Sequence, residues 1–341
     1  MRFGPVAVGE AEGAVLAHST EVAGGRLRKG TVLGPHEVAA LRDAGHRNVT
    51  VARLDPGDVG EDEAARTLAA AICEAGEGLR AVDVSTGRVN LYADRAGLLD
   101  ITRAGVDAVN AVDPALTLAT LPEHRLVGTD AMVATVKVIP FAVERRSLDR
   151  SVSLARSRAP LFVRAPRGYR VHLIQTEVAG TKASVLDKTA GRLAERLSRC
   201  GAVLAGETRI DHDTEALMQA FQAMDLRADA EPQDEMIVVF GASAIADPDD
   251  VIPAALRMAG GTVTALGMPV DPGNLLLTGR LGVRPVIGAP GCARSPAMNG
   301  FDWVLNRLTH GAQVDADFMA GLGVGGLLVE MPDRPHRRER D

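Results

Sequence analysis

Three stretches of the chain gather residues able to hold an anion. The first, Gln175-Thr176-Glu177-Val178-Ala179-Gly180-Thr181-Lys182, leads to Asp187-Lys188-Thr189. It combines hydroxyls, carboxylates and ammonium groups, a donor set suited to gripping a phosphate and a metal together. The second, Gly241-Ala242-Ser243-Ala244-Ile245-Ala246, precedes Asp247, Asp249 and Asp250. Small residues there let backbone N–H groups approach an anion, and the next helix offers its positive end. A carboxylate beside a bound phosphate is repulsive unless a cation bridges the two, and Mg²⁺ is the natural bridge. The third is the pair Gly267-Met268-Pro269-Val270-Asp271-Pro272-Gly273-Asn274 and Gly288-Ala289-Pro290-Gly291-Cys292-Ala293-Arg294-Ser295-Pro296. Each has a Pro-Gly step after a strand, and Arg294 can meet an anionic ligand.

Other chemistry-bearing residues carry blander readings. Asp247 and Asp249 read as solvated loop charges, and Cys292 as a packed thiol beside the ligand rather than a nucleophile. His212, between Asp211 and Asp213, resembles a fragment of a triad but reads as part of a helix-initiating turn. Gly321-x-Gly323-x-Gly325-Gly326 has no following helix, so it is not a dinucleotide loop. Lys137, inside the apolar run Val133 to Ile139, reads as a surface charge.

These loops need strands and helices to position them. From Val171 the chain alternates regularly: a strand at Val171–Ile174, a helix from Ala183 to Cys200 with Val185, Leu186, Leu193 and Leu197 on one face, and a strand at Ala202–Ala205. Asp213 caps a helix to Met224, then come a strand at Met236–Phe240 and a helix over Asp250–Ala259. The short segments Thr262–Gly267 and Leu275–Leu281 suit an antiparallel arm, followed by a strand at Pro285–Gly288 and a helix over Phe301–Leu308. The order predicts an α/β domain with a mostly parallel sheet covered by helices on both faces, whose ligands bind beyond the carboxyl ends of the strands. Before it lies a smaller mixed α+β region. There Leu27–Leu33 reads as extended, Gly60–Ala75 as a helix, and Met132–Phe141 as one strand. The expected domains are a small α+β segment at 1–60, a β-rich α+β segment without an assigned role at 61–155, an arginine-rich, proline-punctuated linker at 156–169, the α/β domain at 170–330 and a charged tail at 331–341.

The order of these motifs throughout Val171 to Leu308 resembles the molybdopterin-binding domain family of molybdenum-cofactor biosynthesis. The family's Thr-Gly-(Asp/Asn)-Glu matches Thr176-Glu177, its helix-start aspartate Asp187, and its Gly-Gly-x-Ser signature Gly241, Ala242 and Ser243, with Asp250 as the downstream aspartate. Its two Pro-Gly loops match Pro272-Gly273 and Pro290-Gly291. The chain departs from the family where Asn274 replaces the arm lysine and Cys292-Ala293 the Asn-Pro step; Lys182, Lys188 and Arg294 are the cations that can compensate. The whole chain also resembles the N-terminal part of bacterial proteins that join this domain to a nucleotidyltransferase.

The resemblance implies the molybdopterin-binding fold and a crevice for molybdopterin or its nucleotide form. It gives Asp187 and Asp250 catalytic roles, with Asp250 on Mg²⁺, and adds molybdate and ATP or CTP as further ligands. Thr176, Glu177, Lys182, Lys188, Gly241, Ala242, Ser243, Pro272, Gly273, Asn274, Pro290, Gly291 and Arg294 would hold the ligand. Three functions stay open: a transferase of late cofactor synthesis, a non-catalytic carrier or sensor, and a nucleotide pyrophosphate hydrolase on the same fold. A separate nucleotidyltransferase or a molybdoenzyme is the implied protein partner, and self-association is the family's habit.

Bulk properties narrow the classes. With 341 residues there is room for more than one core. A net charge of −6 and 3% aromatic residues argue against nucleic acid, which needs a basic footprint and stacking rings. No apolar run reaches the roughly 18 residues needed to span a bilayer, so no membrane role is expected. Met1 to Glu12 lack the apolar core of a secretory signal, and the three cysteines have no CxxC spacing; both fit a cytoplasmic protein with reduced thiols.

Overall fold

A computed structural model of the chain describes residues 1–225 and 235–328 and divides into two units, Met1–Val163 and Arg164–Asp341. The expected tail at 331–341 lies outside the described residues. Among the described residues no helix is long and apolar enough to cross a membrane.

The first unit is built on antiparallel pairings. Asn48–Arg53 lies between Arg2–Ala7 and Val15–Leu16, and the helix Pro35–Asp43 shares a small core with them through Val8, Leu16, Leu33, Val38, Leu41, Val49 and Val51. The helix Glu61–Ala75 buries Ala64, Leu68 and Ile72 in a larger core with Val89, Leu91, Leu116 and Val136 from a four-stranded sheet. Three acidic residues in its first turn complement the positive helix end. Two sequence expectations are corrected here. Residues 27–33 do not run on as a strand, because Thr31 N donates to Arg28 O at 3.2 Å and Gly30 takes a φ of +88°, closing a turn. The run 132–141 breaks at Pro140, which cannot donate to a ladder; Met132–Val138 and Ala142–Glu144 join different sheets. Within 156–169, Arg158 ends a helix and Leu161–Arg164 is a strand.

The second unit contains a six-stranded mixed sheet. Its elements are β1 (Arg170–Glu177), α1 (Ala183–Arg199), β2 (Val203–Asp211), α2 (Thr214–Asp225), β3 (Glu235–Phe240), α3 (Val251–Met258), β4 (Thr262–Leu266), β5 (Leu277–Leu281), β6 (Arg284–Ala289), α4 (Gly300–Thr309) and α5 (Ala316–Gly321). The strand order is β2-β1-β3-β6-β5-β4; the first four run parallel and the last two antiparallel. β3 and β6 are buried at every residue, as expected of strands covered on both sides, whereas β2 at the edge alternates. That edge position lets β2 run on through the polar Glu207, Arg209 and Asp211, well past the apolar stretch that marks it in the sequence.

Alternation along the central strands separates the two faces. Ile174 and Val239 share a core with Leu217 and Phe221 of α2 and Ile252 and Leu256 of α3. Their neighbours point the other way: Gln175 Nε2 donates to Leu186 O of α1 at 2.9 Å, and the Phe240 ring meets Phe301 of α4 at 6.1 Å. A fully buried leucine or phenylalanine contributes about 2 kcal/mol, so each face is held by several such residues. Along α1, Leu186, Leu193 and Leu197 are buried as their spacing predicts. Val185 is not; in the helix's first turn it is 44% exposed.

Candidate crevice at the carboxyl ends of the strands

Because β1, β2, β3 and β6 are parallel, the loops after them open at one end of the sheet. The antiparallel register Leu277↔Gly288 brings the start of β5, and with it Gly273 and Asn274, to the same end. A chain of hydrogen bonds crosses this end. Thr176 Oγ1, 1% exposed near the end of β1, accepts from Ala242 N at 2.9 Å and lies 2.7 Å from His212 Nδ1. His212 Nε2 lies 2.9 Å from Ser243 Oγ, whose residue is exposed. His212 is held at the end of β2 by its own N–H, which donates to Glu177 O at 2.8 Å. Gly241 makes the turn after β3 possible, since a Cβ there would sit 2.8 Å from Ser243 O and 3.1 Å from Ile252 Cδ1.

Arg294 borders the same turn. Its Nη2 donates to Gly241 O at 2.9 Å and its guanidinium lies 5.3 Å from the centre of the Phe240 ring. Among the described residues it makes no ion pair, and its Nε is buried without a hydrogen-bond partner. Burial pushes its pKa below the ordinary arginine value. A partly desolvated cation without a counter-charge is the chemistry of an anion site.

The sequence-selected aspartates are engaged elsewhere. Asp250 caps α3, its Oδ1 accepting from Val251 N at 2.8 Å and its Oδ2 from Ala246 N at 3.1 Å. Asp187 accepts from Arg209 Nη2 at 2.6 Å, and Arg209 also donates to Glu207 at 2.5 Å. The hydrogen bonds that Arg209 donates to Glu207 and Asp187 raise its pKa, so its charge is balanced by its neighbours. No hydrogen bond joins Asp187 or Asp250 to the Thr176–His212–Ser243 chain among the described residues. Lys182, Lys188 and Asn274 are exposed at the same end, and Glu177 is half-buried.

The two Pro-Gly loops meet the start of α4. Gly300 N donates to Pro272 O at 2.9 Å, and Gly273, at a φ of +136°, lies so close that a Cβ would sit 2.7 Å from Gly300 N. Pro290 is buried and Gly291 exposed at the head of a single 3₁₀ turn that carries Arg294. Arg196 of α1 fastens this loop. It donates to Asp302 at 2.7 Å, to Ala293 O at 2.9 Å, to Ser295 O at 2.7 Å and to Ala297 O at 3.2 Å.

Sequence reasoning missed His212 as a member of the chain and Arg196 altogether. Arg196 left a signal: it falls on the stripe of Leu186, Leu193 and Leu197, where a charge must find buried partners. His212 left only a weak one, since nothing in a linear sequence relates it to Thr176 and Ser243.

The fold and site together define a mixed α/β protein whose parallel strands end at a hydrogen-bonded Thr176–His212–Ser243 chain beside the half-buried Arg294. Residues 5–53, the small sheet and helix that open the first unit, match a family model described as a domain of unknown function (DUF8806). No curated protein matches the chain. Among solved structures it is similar to the molybdopterin biosynthesis moea protein from Pyrococcus horikosii, at 12% identity and a TM-score of 0.30, covering 91% of this chain and 75% of that one.

Proposed function

We propose that the crevice binds the phosphate of a pterin-phosphate ligand of the molybdopterin class, and that the protein serves molybdenum-cofactor biosynthesis as a binding module. The observation that carries this reading is Arg294, a half-buried guanidinium with no ion pair among the described residues, bonded to the carbonyl of Gly241 in the turn that presents Ser243. The choice of a pterin rests on the order of motifs from Thr176-Glu177 to Pro290-Gly291, which resembles that family.

Mg²⁺ fits the residues poorly. Both oxygens of Asp250 accept backbone N–H groups, Asp187 is bound to Arg209, and no group of three His, Cys, Asp or Glu side chains among the described residues can hold an ion. A divalent cation prefers carboxylate oxygens that are free to turn toward it. Nucleotidyl transfer and molybdate insertion are therefore left out of the reading, and ligand binding is the function proposed.

Isothermal calorimetry with molybdopterin and its nucleotide form tests it. Binding is expected, with affinity falling at least tenfold in Arg294→Gln, because a charge-assisted hydrogen bond to an anion is lost. Unchanged affinity in that variant would sink the site, and turnover with ATP or CTP, Mg²⁺ and molybdate would replace the carrier by a transferase.

A further inference from the structure

The hydrogen bonds around His212 have a direction. Thr176 Oγ1 is buried and has two partners, Ala242 N and His212 Nδ1, at 2.9 and 2.7 Å. A hydroxyl carries one hydrogen and two lone pairs. Ala242 N–H can only donate, so it occupies a lone pair. The single Thr176 hydrogen then has one acceptor within reach, His212 Nδ1, and a buried donor left unpaired would cost about 1–3 kcal/mol. In the neutral imidazole one nitrogen accepts and the other carries the proton, so Nε2–H donates to Ser243 Oγ at 2.9 Å. Ser243 Oγ is thereby an acceptor toward His212, which leaves its own hydrogen free for another acceptor.

We infer that Thr176, His212 and Ser243 form a one-way donor chain that delivers the Ser243 hydroxyl hydrogen to an oxyanion, a phosphate oxygen, in the crevice. This deepens the anion-binding reading above and rests on it. Each link polarises the next, so the terminal hydroxyl is a better donor than an isolated serine. His212 is a positioning residue: it does not touch the ligand but sets which way Ser243 points. Arg294, bonded two residues upstream at Gly241 O, supplies the charge that the neutral chain lacks. The same three residues arranged for nucleophilic attack would need the opposite tautomer, with Nε2 free to take the serine proton. Thr176 disfavours that tautomer, because it would strand the threonine hydrogen in a buried setting.

The whole chain, ¹⁵N-labelled at histidine and recorded at mildly alkaline pH, tests the donor chain by NMR, with His212 assigned through His212→Gln. The expected state is Nε2–H in the native protein, with a shift toward Nδ1–H in Thr176→Val, where the donor to Nδ1 is gone. Titration with inorganic phosphate as the probe should give an affinity about tenfold lower in Ser243→Ala than in the native protein. An Nδ1–H tautomer in the native protein, or no shift in Thr176→Val, overturns the chain even if phosphate binds. Equal phosphate affinity in Ser243→Ala overturns the role of its hydroxyl. The expected tautomer with no phosphate binding by the native protein overturns the anion reading of the crevice instead.

Discussion

At the residue scale, the crevice depends on groups whose ordinary roles are structural. Gly241 has no chemistry of its own, yet the missing Cβ lets the chain fold back so that Ser243 meets His212. In Gly241→Ala the new Cβ would stand 2.8 Å from backbone Ser243 O, which cannot turn aside as a side-chain end can. The turn must shift, at a cost of about 1–3 kcal/mol. Urea denaturation should read that loss, and phosphate titration should fall with it; a stable variant with native phosphate affinity would show that the turn has slack. Asp250 illustrates the converse. A carboxylate that looks like a metal ligand in the sequence is an N-cap here; Asp250→Asn should keep the bond from Val251 N but, with an NH2 in place of Oδ2, lose the one from Ala246 N, so a loss of about 1 kcal/mol is expected in urea denaturation.

At the element scale, two buried cations tie neighbouring pieces together at opposite ends of the sheet. Arg196, with its side chain 5% exposed, joins α1 to the loop after β6 and to Asp302 of α4. Arg196→Met keeps the apolar stem but leaves Asp302 and the loop carbonyls without their donor. A loss of about 3–5 kcal/mol is expected, read as a lowered denaturation midpoint. At the other end, Glu235 of β3 accepts from Arg284 of β6 at 2.8 Å and lies 3.1 Å from His172 of β1, all three being 4% exposed. Burial alone would raise the Glu235 pKa. The hydrogen bonds from Arg284 and His172 together outweigh it and hold the carboxyl below the ordinary glutamate value. A depressed folded-state pKa stabilises above the unfolded value, and that contribution is lost as pH falls through the folded one. Glu235→Gln should therefore be less stable than the native protein near neutral pH, with the gap closing in acid. A gap that widened in acid would contradict the assignment.

At the scale of the whole molecule, each unit has a core of its own, so each is expected to fold as a domain. Trp303 is the chain's single tryptophan, buried in α4 of the second unit, so its fluorescence follows the unfolding of that unit. A fragment beginning at Arg164 should show a cooperative thermal transition by tryptophan emission and by calorimetry. A gradual, dye-binding transition would mean that the second unit borrows its stability from the first.

The sequence by itself determined the elements and their order. Apolar runs at Val171–Ile174, Met236–Phe240 and Pro285–Gly288 are strands because a sheet covered on both faces needs unbroken hydrophobic segments, and short segments around Val263 and Thr278 pair antiparallel because little chain separates them. It also placed Ser243, Gly273 and Gly291 in the loops at one end of that sheet, whereas Gln175 and Thr176, which read as the start of a loop, are buried residues of β1, because the strand runs on to Glu177. What it could not reach was which side chains bond to which. Thr176 and His212 lie 36 positions apart, and Thr176 and Ala242 lie 66 apart. A linear pattern carries no angle or distance across such gaps, whereas a parallel sheet brings the ends of its strands within hydrogen-bond reach. Tertiary structure alone therefore decided that Asp187 is bound to Arg209, that Arg294 stands without a counter-charge among the described residues, and that a histidine which reads as a turn residue links a buried threonine to an exposed serine.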